Sequence, residues 1–402
     1  MRPYIPTEYV KIDIANCYGL DKKTFEQRIA WVDSIKDLRK LVPKAENPVG
    51  FLAAVIALED AKNGVPSGHL VELDAAASGI SILGILAGCH TTSKNTGTIG
   101  QKRMDFYGEC TKTMNTLLQD VVEVDRADAK AATMTSYYGS KAKPKEIFGE
   151  DTDELWAFYM AQETIAPGAC IMMKELLNSW QPYALEHRHT LPDGFNSIIP
   201  VLQKCKVKVE VDELQHACIN YIYEENVGSE KGLAVAANCV QAIDALIVRE
   251  LVRRCNYDYT QLQLIAAILE QANTIKSNPI TKRRIEQLAI DHGFISLRGI
   301  EFITLENVLE FSLDYRRELY HLIEEVLSKP RFDVICIHDA FKCHPKYMNY
   351  LRETYMIILA ELADSTIGQQ IIREVRNDPT YVLEKLSDTL GDEIMKAQYF
   401  LS

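Results

Sequence analysis

From Arg126 to Lys141 the chain reads RADAKAATMTSYYGSK, and this stretch decides how the rest is read. Arg126, Lys130, Met134 and Tyr138 recur every four positions. On an α-helix each such step advances only about 40°, so the four side chains share one broad face. Arg126 and Lys130 fall at the start of that helix, where free backbone N–H groups and the macrodipole also attract anions. Asp125 is placed to cap it and Gly139 to end it. A polyphosphate would find a fixed cationic rail there, with an aromatic ring at its far end. Taken singly, Arg126 and Lys130 read as a solvated face, Met134 as core and Tyr138-Gly139 as a helix end. The ordered string R-x3-K-x3-M-x3-YG is far more specific than its parts.

The chain has 402 residues, is 47% hydrophobic and carries a net charge of −12. That length supports a sizeable core and more than one lobe. No apolar stretch is long enough to span a bilayer. The start does not read as an export signal, and ten cysteines without a CxxC pair suit reduced thiols, so a cytoplasmic protein without a membrane partner is expected. The acidic balance argues against a nucleic-acid partner, because phosphate neutralisation drives such binding. Local basic clusters, or a basic partner chain, can still form a groove while the outer surface stays acidic.

The pattern along the chain predicts a mainly helical α+β protein. Helices are expected over 24–41, 78–89, 104–122, 126–138, 156–180, 232–254 and 346–363, the last opened by Pro345. Gly84 and Gly88 form a GxxxG that close helix packing explains. Residues 68–74 read as a short apolar strand ending on Asp74, and 334–337 as a buried-type strand followed at once by His338-Asp339. Pro192-Asp193-Gly194-Phe195 is a turn. Cys205 to Val211 alternates and can pair with 219–223 as a hairpin within 201–224, carrying Lys204, Lys206 and Lys208. Residues 256–330 are helical and charged, punctuated by Pro279, Gly293 and Gly299.

Asp74 and Asp339 each stand at the end of an apolar strand. Phosphodiester chemistry can use two divalent cations about 4 Å apart clamped between carboxylates. Magnesium takes oxygen ligands and commonly relies on one or two carboxylates plus substrate phosphates. Alone, Asp74 reads as a helix cap and Asp339 as a turn residue; their company favours the metal role. Cys336, His338, Cys343 and His344 fit no common zinc spacing, and His187 and His189 read as surface residues.

With these residues in view, the chain resembles the C-terminal half of the single-subunit DNA-dependent RNA polymerases of the bacteriophage and mitochondrial type. Val10-Lys11-Ile12 through Asn16 to Lys22, Asp74 to Ile80, Asp105-Phe106-Tyr107-Gly108, Arg126 to Lys141, Pro192 to Phe195, Ile337 to Phe341 and Tyr399 to Ser402 follow the family's order. The resemblance implies a right-hand palm and fingers. Residues 1–60 would be a helical palm-associated segment, 61–90 the first palm part and 91–240 the fingers. Residues 241–402 would be the second palm part, enlarged by 256–330. It implies two magnesium ions on Asp74 and Asp339 with the Ala75 carbonyl assisting. Arg126 and Lys130 would grip the triphosphate with Lys11 helping, and Tyr138 would close on the nucleotide and judge its sugar. Tyr107 and Gly139 would position nucleotide or template, His338 would sit near the primer end, and the hairpin would either read promoter DNA or be a solvated amphipathic strand pair, with nothing in the sequence favouring one over the other. Gln241 stands where the family has a histidine near the ribose.

Ala75 and Ala340 replace a usual glycine and serine. The N-terminal domain, the thumb and an Asp-x-x-Gly-Arg element have no counterpart here, so a second polypeptide is expected to supply them, as in the catalytic chain of a heterodimeric phage RNA polymerase working in an infected bacterial cytoplasm. DNA template, RNA transcript and ribonucleoside triphosphates are the expected partners. A-type DNA polymerases share the R-x3-K-x7-YG string, but they carry a phenylalanine at Met134, HDE at 338–340 and a glutamate at Gly79. That glutamate blocks a ribose 2′-hydroxyl, and Gly79 leaves the space open. A non-catalytic helical subunit is the remaining alternative.

Overall fold

The computed structural model describes residues 1–119, 121–278 and 283–402; Pro279 lies outside the described residues. Four hydrophobic side chains set the three-stranded sheet. β1 (Val71–Asp74) pairs antiparallel with β7 (Ala340–Cys343), and β7 with β6 (Ile335–Ile337), giving the order β1-β7-β6. The register Val71↔Cys343 and Leu73↔Phe341 puts those four on one face, all buried. Glu72↔Lys342 and Asp74↔Ala340 therefore share the opposite, open face. Exposed Ile335 and Ile337 show β6 to be an open edge rather than the buried strand expected, because no element covers its outer side.

Helices fill the buried side. α1 (Pro6–Tyr18) opens on Pro6 and ends at Gly19, whose φ of 101° needs no Cβ. α2 (Phe25–Ser34) begins with a Thr24–Gln27 capping box, and the expected 24–41 helix then tightens into a 3-10 turn over Leu38–Lys44 containing Pro43. α3 (Pro48–Lys62) packs on α1. α4 (Ser78–Leu86) and α5 (His90–Asn95) meet at Gly84, where a Cβ would lie 2.5 Å from Thr92 Cγ2. Then follow α6 (Phe106–Leu117), α7 (Arg126–Ser136), α8 (Ala142–Phe148), α9 (Asp153–Ile165) and α10 (Pro167–Asn178). α6 is shorter than the 104–122 expected. The 156–180 stretch is two helices, because Pro167 opens a new one.

β2 (Glu186–Thr190) and β3 (Asn196–Pro200) flank the 191–195 turn. His187 and His189 are 2% and 1% exposed, not surface residues. The Gln181 N–H donates to His187 Nε2 at 3.0 Å beside the Trp180 ring, and burial, then His292, pulls the His189 pKa down to about 4. β4 (Leu202–Val211) and β5 (Ala217–Asn226) form a ribbon whose residues are nearly all exposed. α11 (Ala234–Cys255) packs back against α4 and α15 in the main core. α12 (Tyr259–Ala272), α13 (Arg284–His292) and α14 (Leu313–Leu327) build the 256–330 region around its own core of Leu262, Leu269, Phe311, Leu319 and Ile323. α15 (Met348–Asp364), α16 (Ile367–Arg376) and α17 (Leu390–Ile394) complete the main core. Among the described residues, no helix is long and apolar enough to cross a membrane.

Candidate functional site

The sheet brings together two aspartates 265 positions apart, because 339 − 74 = 265. Asp74 is the last residue of β1. Asp339 is the second residue of the two-residue turn between β6 and β7, with His338 at a φ of 56° as the first. The Ala75 N–H donates to the Asp339 carbonyl at 3.0 Å, and the Ser402 N–H to the Asp74 carbonyl at 2.9 Å. Asp74 does not cap α4; Ala77 occupies that N-cap with a φ of 50°. Its carboxylate is left to the cleft.

That cleft has a volume of about 760 Å³. It is bounded by Asp74 to Ile80 and Asp339 on one side and by Tyr107, Arg126, Lys130, Met134 and Tyr138 on the other. Its walls carry seven carboxylates against four cationic side chains. Desolvation within the cleft, then Glu72, Asp339 and Asp21, push Asp74 up to about 6, with Lys342 opposing. Lys342 is itself held by Glu72 at 2.5 Å. Such a group of hard oxygen donors, repelling one another, fits a divalent cation such as magnesium, with phosphate oxygens filling the shell. Among the described residues, the trio with ligand atoms within 4.8 Å of one another is Glu210, Asp212 and His216, exposed at the ribbon tip. Asp74 and Asp339 form a pair rather than such a trio.

α7 supplies the opposite wall. Asp125 accepts from the Ala127 N–H at 3.3 Å, and Gly139, with a φ of 85°, follows the helix end. Arg126 is bidentate to Asp105, Nε–Oδ2 2.8 Å and Nη2–Oδ1 2.7 Å. Lys130 has no carboxylate within 4.0 Å among the described residues. The Tyr107 ring lies 5.9 Å from the Arg126 guanidinium and 5.7 Å from Lys130 Nζ. Burial, then Asp339, raises the Tyr107 pKa. Tyr138 is 39% exposed, and a Cβ built on Gly79 would lie 3.5 Å from its hydroxyl.

Four expected residues sit elsewhere. Lys11 is paired with Asp33 at 2.7 Å and does not line the cleft; it lies about 200° around α1 from Asp13, which does. Gln241 is exposed and outside the wall, since α11 turns Val240 toward Gly79. Gly139 packs beside Leu177 and Leu233 and His338 is exposed in the turn, both outside the lining.

Two residues given no role beforehand matter. Asp105 fixes the Arg126 fork; its position 21 residues before Arg126 gave no periodic cue. Asp244, one turn beyond Gln241 and Val240, is pushed up to about 6 by burial and then by Asp339, with His338 opposing. Burial, then Asp244 and Asp339, raises the Tyr138 pKa. The i, i+3 and i, i+4 spacing from Gln241 and Val240 was the available cue. No family model matches this sequence, and no curated protein is significantly similar to it.

Proposed function

We propose that this chain is the catalytic, palm-and-fingers part of a phage-type DNA-directed RNA polymerase, joining ribonucleotides by two-magnesium nucleotidyl transfer on a DNA template. The partners of this reading are a DNA template, an RNA transcript, ribonucleoside triphosphates and a co-purifying second polypeptide. The observation that carries the proposal is the convergence of Asp74 and Asp339 at one end of a cleft whose facing wall is Arg126, Lys130 and Tyr138.

Magnesium held by Asp74 and Asp339 would lower the pKa of the attacking 3′-hydroxyl and neutralise the leaving pyrophosphate. The chain's own groups would position the reactants, which is most of what phosphoryl transfer asks of a protein. Lys130, with no carboxylate within 4.0 Å among the described residues, would meet the triphosphate as a point charge. Arg126 would present its remaining donors in a plane set by Asp105. Tyr138 would lie against the sugar opposite the open Gly79, which supports ribonucleotide use over the A-type DNA polymerase alternative. The test is primer extension by the full chain with its co-purifying partner. Asp339→Asn is expected to abolish synthesis with the fold intact; undiminished synthesis would refute the proposal and leave the non-catalytic subunit.

A further inference from the structure

A second cavity, of about 380 Å³, lies between α13, the 3-10 turn Leu297–Phe302 and the 191–195 turn. Its wall comprises Gly194, Arg283, Arg284, Ile285, Leu288, Arg298 and Phe302, with three guanidinium groups and, among the described residues, no carboxylate. The two larger grooves are carboxylate-lined, so this is a local reversal of charge in a chain of net −12.

Part of that charge has structural work. Arg298 Nη1 donates to the Asp193 carbonyl at 2.7 Å and its Nε to Glu301 at 3.1 Å, and Arg283 pairs with Glu310. Arg284 differs: it donates to the Asn196 amide oxygen at 2.9 Å and has no carboxylate within 4.0 Å among the described residues. Phe302 is 42% exposed, with Arg298 5.7 Å from its ring centre. Ile285 and Leu288 give an apolar floor. Guanidinium forks match phosphate oxygens, and an exposed ring over an apolar floor takes a planar base. The volume lies at the lower end of small-ligand pockets. Asn196 also starts β3, which spans about 17 Å before the ribbon that carries Lys204, Lys206 and Lys208.

We propose that this pocket binds one nucleotide of a single-stranded nucleic acid, its phosphate on Arg283, Arg284 and Arg298 and its base stacked on Phe302. The strand would continue from there along β3 toward the lysine face of the ribbon. The pocket does not depend on the polymerase assignment, so Asp339→Asn should leave its binding unchanged whatever it does to synthesis.

The test uses the full chain with twelve-residue oligonucleotides, one of deoxythymidine and one of uridine, each carrying a single 5-iodouracil for ultraviolet cross-linking and a fluorophore for anisotropy. A cross-linked peptide from residues 283–302 is expected; the oligonucleotide that gives it tells a displaced DNA strand from a transcript. Phe302→Ala and Arg284→Ala should each lose that cross-link and weaken binding roughly ten-fold with unchanged melting temperature. Cross-links confined to 104–141 and 202–226 would overturn the proposal, as would wild-type binding by both variants. The cross-linking arm uses the unaltered chain, so its result stands whatever the variants' folding.

Discussion

Gly79 separates the two sugar preferences most sharply. It is the second residue of α4, in ordinary helical conformation, and a Cβ there would sit 3.5 Å from both Tyr138 Oη and Val240 Cγ1. That is van der Waals contact, so Gly79→Ala should fold and gain up to about 1 kcal/mol from helix propensity. Gly79→Glu keeps the same backbone and favours the first turn electrostatically, but it sends a carboxylate into the space beside the tyrosine hydroxyl. A ribose 2′-hydroxyl would lose a hydrogen bond worth about 1 kcal/mol and leave a polar group unpaired at a cost of about 1–3 kcal/mol. Together this is about 2–4 kcal/mol, or roughly 30- to 1000-fold in kcat/KM for ribonucleotides. A deoxynucleotide carries no such group and should change little. The assay is single-nucleotide extension with ATP and dATP by the chain with its partner, wild type beside Gly79→Glu. An unchanged ribose preference in a folded variant would refute the reasoning, and so would an equal loss for both nucleotides.

Lys130→Ala should leave thermal stability within about 0.5 kcal/mol, since the ammonium has no ion pair to lose, while kcat/KM for nucleotides falls at least ten-fold; stability loss without kinetic loss would remove Lys130 from the site. The raised pKa values of Asp74 and Asp244 fix a sign. Each folded carboxyl holds its proton above its ordinary value near 3.8, so the metal-free fold binds more protons than the unfolded chain and loses stability as pH rises from about 4 to 6. Melting curves across that range should flatten in Asp74→Asn, and magnesium at pH 7.5 should raise the wild-type melting temperature more than the variant's. Asp193, 1% exposed, holds Arg249 at 2.6 Å and Arg253 at 3.1 Å, so Asp193→Ala should cost about 3–5 kcal/mol by denaturant titration. A cost below 1 kcal/mol would show the pairs to be replaceable by water.

Where chemistry and local periodicity coincide, the sequence was legible. The α7 face, the strand ends at Asp74 and Asp339, and the alternating ribbon all follow from 3.6- and 2-residue repeats. Burial was less legible. His187 and His189 alternate with half-buried Glu186 and exposed Arg188, a period that a one-sided strand shares with a solvated one, and only Trp180 and α16 packed against the strand decide between them. Helix length failed where a small residue or proline interrupts without breaking the apolar pattern, as at Ala166-Pro167. Lys11 and Gln241 were misplaced for one reason: a motif position fixes a residue along a helix, whereas the cleft is reached only by residues at the right angle around it.

The same angular argument separates support from chemistry in the cleft. Arg126 is held by Asp105, and its guanidinium is the more strongly held of the two cations. Lys130, four residues on, sits over the same Tyr107 ring with no carboxylate within 4.0 Å among the described residues. If both grip one triphosphate, the arginine contributes direction and the lysine contributes charge that is free to move. Asp105→Asn should then raise KM for nucleotides while leaving the salt dependence of binding nearly unchanged, because no cation is lost. Lys130→Ala should reduce that salt dependence by close to one charge. Nucleotide binding measured from 50 to 300 mM salt would distinguish the two, and an identical slope change in both variants would show that the rail acts only as summed charge.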